Sequence, residues 1–166
     1  MIQRIQTIYL LIVVILGISL YFCPVLQFTS NIDDGVQRMF ELSATGLEEQ
    51  TEEYSYIADE LPPVVFNDTW GLGLSTLIMP ALALIIIFLY KKRKLQARLS
   101  LLLFMFCLGY YGVLLIYAWF GKHNIAPDWA VLPSSCLPLI NAVFSLMATR
   151  RILKDEALVR AADRLR

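Results

Sequence analysis

Few side chains in this sequence are suited to acid–base or nucleophilic chemistry, and those that are stand apart. The one histidine, His123, lies in the segment GKHNIAPD and has no partner at motif spacing. A serine nucleophile needs a base within hydrogen-bond reach, and Ser134 and Ser135 have no neighbouring base in the sequence. Cys23, Cys107 and Cys136 are far apart, lie in or beside apolar runs, and have no histidine near them. Zinc takes four ligands at short spacing, so these thiols read as small buried hydrophobes. Neither a His-Glu-x-x-His motif, a glycine-rich phosphate loop nor a pair of intramembrane aspartates is present. The expectation is no catalytic residue, no cofactor and no metal, with His123 a loop residue at the headgroup boundary. An enzyme acting on lipid or envelope precursors would require His123, Asp128 and an outer-loop acid in one cleft.

Composition explains this poverty. Of 166 residues, 58% are hydrophobic and 17% charged, with a mean hydropathy of +0.62. Soluble domains average about 45–50% apolar and about 25% charged, so this chain belongs to the membrane class. Zero net charge argues against nucleic acid as a partner. The length suits one domain.

A bilayer core about 30 Å thick needs about 20 apolar residues in a helix. Four windows free of Asp, Glu, Lys, Arg and His satisfy this, and we place spans near residues 6–27, 70–90, 99–120 and 129–149. The expected fold is an all-α membrane protein, a four-transmembrane-helix bundle forming one domain. The first window is longer than a signal-peptide core of about 7–15 residues and lacks a clean cleavage site, which favours an uncleaved span.

The cations set the orientation. With the N-terminus inside, Arg4, Lys91, Lys92, Arg93, Lys94, Arg98, Arg150, Arg151, Lys154, Arg160, Arg164 and Arg166 are cytoplasmic. That end holds 12 cations and three acids, net +9; the outer end holds two cations and 11 acids, net −9. Lys and Arg favour cytoplasmic loops, so both termini are expected in the cytoplasm. Tyr21, Phe22, Trp70, Tyr90, Tyr117, Trp119 and Trp129 fall near span ends, where amphipathic rings favour the headgroups. KKRKLQAR is a tight basic turn able to touch anionic lipid.

The outer loop, residues 28–69, is acidic in its middle, with Glu48, Glu49, Glu52, Glu53, Asp59 and Glu60. GVQRMFELSATG alternates as a short strand and LPPVVFND is a candidate partner for it. A helix through LEEQTEEYSYIADEL is the alternative. Asn67-Asp68-Thr69 matches a glycosylation sequon, close to the membrane.

The tail, residues 150–166, reads RRILKDEALVRAADRLR up to the end and should extend the fourth span as a cytoplasmic helix. Leu153, Ala157, Leu158, Ala161 and Leu165 share a face that requires cover by the inner loop, the membrane surface or a protein. Asp155, Glu156, Leu158, Arg160, Asp163 and Arg164 are the candidate contacts for a cytoplasmic partner. Inside the spans, Gly109 and Gly112 offer a small-residue face for close helix approach. Pro80, Pro133 and Pro138 are expected to bend spans two and four. Ser134, Ser135 and Asn141 are candidates for interhelical polar contacts or for bonding backbone groups freed by those prolines.

Three stretches together resemble one family. The opening MIQRIQTIYLLIVVILGISLYFCP, the basic turn IIIFLYKKRKLQARL with Leu95-Gln96, and the tail through Asp155-Glu156-Ala157-Leu158-Val159-Arg160 and Asp163-Arg164-Leu165 are similar to the family catalogued as domain of unknown function 4293. The outer loop carries no part of the likeness. The resemblance implies a four-span inner-membrane protein of the Bacteroidota group and brings no activity or functional residue with it. Spans without ionisable groups count against proton-coupled transport or voltage sensing. The leading expectation is a non-enzymatic accessory or scaffold subunit, with a membrane-protein partner or a second copy of itself and membrane lipid around it. A small oligomeric transporter or channel lined by Asn141 and Ser134 is the alternative.

Overall fold

The computed structural model describes residues 3–32, 36–50, 69–90 and 92–164. Helix α1 spans Gln3–Phe22, α2 Trp70–Phe88, α3 Arg93–Asn124 and α4 Leu137–Arg164. All four are long and apolar enough to cross a membrane, as a multi-pass membrane protein requires. They form a ring in which α1 packs on α2, α2 on α3, α3 on α4, and α4 returns to α1.

The core follows from helical periodicity. On α3, Leu103, Cys107, Tyr110, Leu114 and Ala118 repeat every three or four residues and are buried. The opposite faces are apolar yet exposed: Ile5, Ile8, Leu11, Ile15 and Ile18 line the outside of α1. A helix hydrophobic all round is what a lipid-embedded bundle needs. The rotation of α3 corrects the role expected of Gly109 and Gly112. Both lie on its outer face, where an added Cβ would meet nothing within 4 Å. Close approach occurs elsewhere: Gly17 of α1 sits against Pro80, the one proline inside α2.

The short β element expected in the outer loop is present, and it is larger than the expected pair of strands. Strands β1 (Leu26–Ile32), β2 (Val36–Leu42), β3 (Leu47–Gln50) and β4 (Asp128–Val131) form an antiparallel sheet in the order β3-β2-β1-β4. The first span therefore ends at Phe22, not near residue 27. Pro24 lacks an N–H and biases Cys23 away from helical geometry. The fourth span likewise starts later than residue 129, because Pro133 keeps Leu132 extended. Pro133 opens a 3₁₀ turn, Pro133–Cys136, and Pro138 occupies the first turn of α4, where its missing N–H costs nothing. These two prolines start the helix rather than bend it. The expected strand in GVQRMFELSATG is β2, but its partners are β1 and β3. Leu47–Gln50 is strand, not the start of a helix. LPPVVFND, the sequon, and Glu52, Glu53, Asp59 and Glu60 lie outside the described residues.

Period-two alternation puts Leu26 and Phe28 of β1 and Phe40 and Leu42 of β2 in the core. They meet as cross-strand pairs, Leu26 with Leu42 and Phe28 with Phe40. The sheet docks where two helices present glycine. A Cβ on Gly121 of α3 would overlap the Phe28 ring, and one on Gly73 of α2 would stand 2.5 Å from the Ala44 carbonyl oxygen. Ala44 belongs to the β2–β3 turn, closed by the Ser43 N–H donating to the Gly46 carbonyl at 2.8 Å. Forcing a methyl into such a contact costs about 1–3 kcal/mol. Gly121→Ala should lower the thermal midpoint in detergent, and Phe28→Leu in the same chain should recover part of the loss. Gly109→Ala and Gly112→Ala should leave the midpoint unchanged or slightly higher, because alanine favours helix and meets no obstacle.

Candidate functional site

Polar side chains in the bundle gather near its two ends, in layers that join different helices. At the sheet end, the Val25 carbonyl, just after the break at Pro24, accepts from the Ser135 hydroxyl at 2.6 Å and from the Leu132 N–H at 3.1 Å. The Ser134 hydroxyl donates to the Pro24 carbonyl. Tyr111 of α3 donates to the Ser135 carbonyl at 2.8 Å. Ser134 and Ser135 thus hold the α1–β1 junction to the start of α4. They do not bond groups freed by Pro133 or Pro138.

The opposite end carries the cations. Gln96 of α3 donates to the Ile86 carbonyl of α2 at 3.2 Å, closing the short connection over residues 89–92. Ser100 of α3 donates to the Ser145 carbonyl of α4 at 3.1 Å, and Thr149 donates to the Ser100 hydroxyl at 2.8 Å. Gln6 of α1 donates to the Asp155 carboxylate of α4. Asp155, expected as a partner contact, is thereby engaged within the chain. Lys92, Lys94, Arg98, Arg150 and Arg151 are exposed around this end. Lys91 and the side chain of Arg93 lie outside the described set.

Beyond Ile152, which is buried, α4 continues to Arg164. Leu153 is 51% exposed, Leu158 53% and Val159 43%. The apolar face expected on the tail is thus uncovered over its described part. The side chains of Arg160, Ala161, Asp163, Arg164 and Leu165 fall outside that part. Glu156 is half-buried and lines a cleft between α3 and α4 with Lys94, Arg98 and Thr149.

His123 is exposed near the C-terminal end of α3, and Asp128 is exposed at the start of β4. No three His, Cys, Asp or Glu side chains gather among the described residues. Cys107 is buried and Cys23 half-buried, but Cys136 is exposed, contrary to expectation, because the 3₁₀ turn points it outward while Ser135 faces in.

Gln6, Ser100, Tyr111, Ser145 and Thr149 carry no motif in the sequence, and Gln96 is marked only by the family resemblance. A signal for one pair was available. Ser100 lies just inside Arg98 and Thr149 just before Arg150, so two antiparallel spans bring them to one depth.

Asn141 departs from this layering. It is wholly buried in α4, and neither its amide nitrogen nor its carbonyl oxygen has a hydrogen-bond partner. An unsatisfied buried polar group costs about 1–3 kcal/mol, whereas an apolar replacement of similar shape is neutral or stabilising. Asn141→Leu should therefore keep or raise the thermal midpoint. A clear drop would mean that Asn141 is bonded in the membrane.

Residues 2–165 match the family model described as Domain of unknown function (DUF4293). Comparison with curated proteins finds no match. The likeness seen in the opening, the basic turn and the tail extends through the outer segment as well, and the chain belongs to the DUF4293 family.

Proposed function

We propose that the chain is a non-enzymatic subunit or scaffold of a membrane-protein assembly, resident in the cytoplasmic membrane of a bacterium of the Bacteroidota group. Its basic end and both termini face the cytoplasm, and its sheet end faces outward. The charge division of +9 against −9 supports that orientation. The observation that carries the assembly reading is the tail. Helix α4 continues to Arg164 beyond the buried Ile152, and Leu153, Ala157 and Leu158, which share one side of it, remain exposed. A helix presenting an apolar stripe lowers its free energy by laying it into a groove of another protein. Within the chain, Asp155 bonded to Gln6 holds the root of that helix against α1, so the stripe is presented at a fixed angle.

The alternative, a small oligomeric transporter or channel, draws on one observation, the unpartnered Asn141 in the bundle interior.

Co-purification tests the assembly reading. The tagged full chain, at native expression and in mild detergent, should carry a second protein in fixed ratio. Leu158→Asp should strip that partner while leaving the unfolding free energy within about 0.5 kcal/mol of the parent, as an exposed position allows. Recovery of a lone monomer, even after crosslinking, would contradict it.

A further inference from the structure

Two helical stripes face one another at the basic end. On α3 they are Lys94, Ala97, Arg98 and Leu101, at i, i+3, i+4 and i+7; on α4 they are Thr149, Leu153 and Glu156, at i, i+4 and i+7. Residues at these spacings share one side of a helix. The stripes enclose an open cleft of about 250 Å³. Depth comes from Ala97, small and buried, which lets the cleft sink between larger neighbours. The Ser100–Thr149 bond holds the helices together at its base.

The walls are ordered along the membrane normal. Lys94 and Glu156 lie toward the mouth, Arg98 lies about a turn deeper along α3, and Thr149, bonded to Ser100, lies about two turns below Glu156. Leu101 is half-exposed and opens onto the apolar outer face of α3, which continues through Leu102 and Met105. Charge above and an apolar track below match the two parts of a phospholipid. A free cation pair could instead be explained by snorkelling, in which long side chains reach for water. Snorkelling accounts for neither the hollow between the helices nor a carboxylate placed on its opposite wall.

The geometry points to a phospholipid site in which Lys94 and Arg98 take the phosphate and Glu156 takes a headgroup ammonium, selecting an ethanolamine phospholipid from the leaflet at the basic end. Arginine forms paired hydrogen bonds to phosphate oxygens and lysine adds a point charge. Basic pockets between spans on this side of a bilayer hold lipid headgroups. The carboxylate has several acceptor positions, so it can take an ammonium beside any contact within the chain. Two cations against one anion suit a phosphate joined to an ammonium, with the surplus charge on the phosphate side. The cleft shares Leu153 with the tail's apolar face but not Leu158, so Leu158→Asp tests the partner without altering the cleft.

Native mass spectrometry of the delipidated full chain, titrated with phosphatidylethanolamine or phosphatidylglycerol, tests it. One phosphatidylethanolamine should be retained, in preference to phosphatidylglycerol. Lys94→Gln and Arg98→Gln, both at exposed positions, should each weaken retention about tenfold. Glu156→Gln should abolish the preference while keeping phosphatidylglycerol bound, and Arg150→Gln, outside the cleft, should change nothing. Equal retention of the two lipids by the parent chain, or retention indifferent to Lys94 and Arg98, would overturn the proposal. Competition by free phosphoethanolamine at the lipid's own concentration would overturn the lipid as its source.

Discussion

The hydrogen bonds to the Pro24 and Val25 carbonyls fix more of this structure than any other contact. Proline ends α1 beside the buried Val25, and a buried polar group left without a partner costs about 1–3 kcal/mol. Ser134 and Ser135 supply the donors. In doing so they determine where α4 begins and force it to run back along α1. From that register follow Tyr9 against Phe144, with ring centroids 6.0 Å apart, and then Gln6 against Asp155 at the far end. The same junction delivers β1 to the sheet, where β4 pairs with it just before the serines. Closure of the helical ring and formation of the sheet are one event seen from two sides.

The result is a bundle whose middle is apolar and whose ends differ. Glu41, Glu48 and Asp128 belong to the sheet end, and Lys92, Lys94, Arg98, Arg150, Arg151 and Lys154 to the other. Helix α3 has 32 residues, about 48 Å at 1.5 Å per residue, so it exceeds the hydrocarbon thickness and carries Lys94 and Lys122 beyond it. The basic end thus presents a polar surface carried on α3 and α4, and the other end presents the four-stranded sheet. Among the described residues, the interior Asn141 stands apart as a buried side-chain amide without a hydrogen-bond partner.

Much of this was legible in the residues. The spans show as uninterrupted apolar windows, and the charge division shows which loops share an end. Strand β2 declares itself by alternation. Strands β1 and β4 do not, because Leu26–Ile32 continues the first apolar run and Asp128–Val131 reads as the opening of the fourth. Only the prolines at 24 and 133 mark the changes, and a proline in a membrane segment signals a kink as readily as an end. Gly109 and Gly112 have the spacing of a packing face, yet spacing does not fix the rotation of a helix. Packing of Leu103, Cys107 and Tyr110 does, and it turns those glycines outward. The tail was readable as an amphipathic helix, but the Gln6–Asp155 bond pairs residues 149 positions apart and left no local trace.

The claim on which the account turns is that the tail's apolar face is a protein-binding surface. Photo-crosslinkers placed singly at Leu153, Lys154, Ala157, Leu158 and Val159 of the full chain in its own membranes test it directly. A discrete protein adduct is predicted at Leu153, Lys154, Ala157 and Leu158, which share one side of the helix, strongest at Leu158, with little at Val159 on the opposite side. Adducts to lipid alone, or adducts to protein without any helical period, would contradict it.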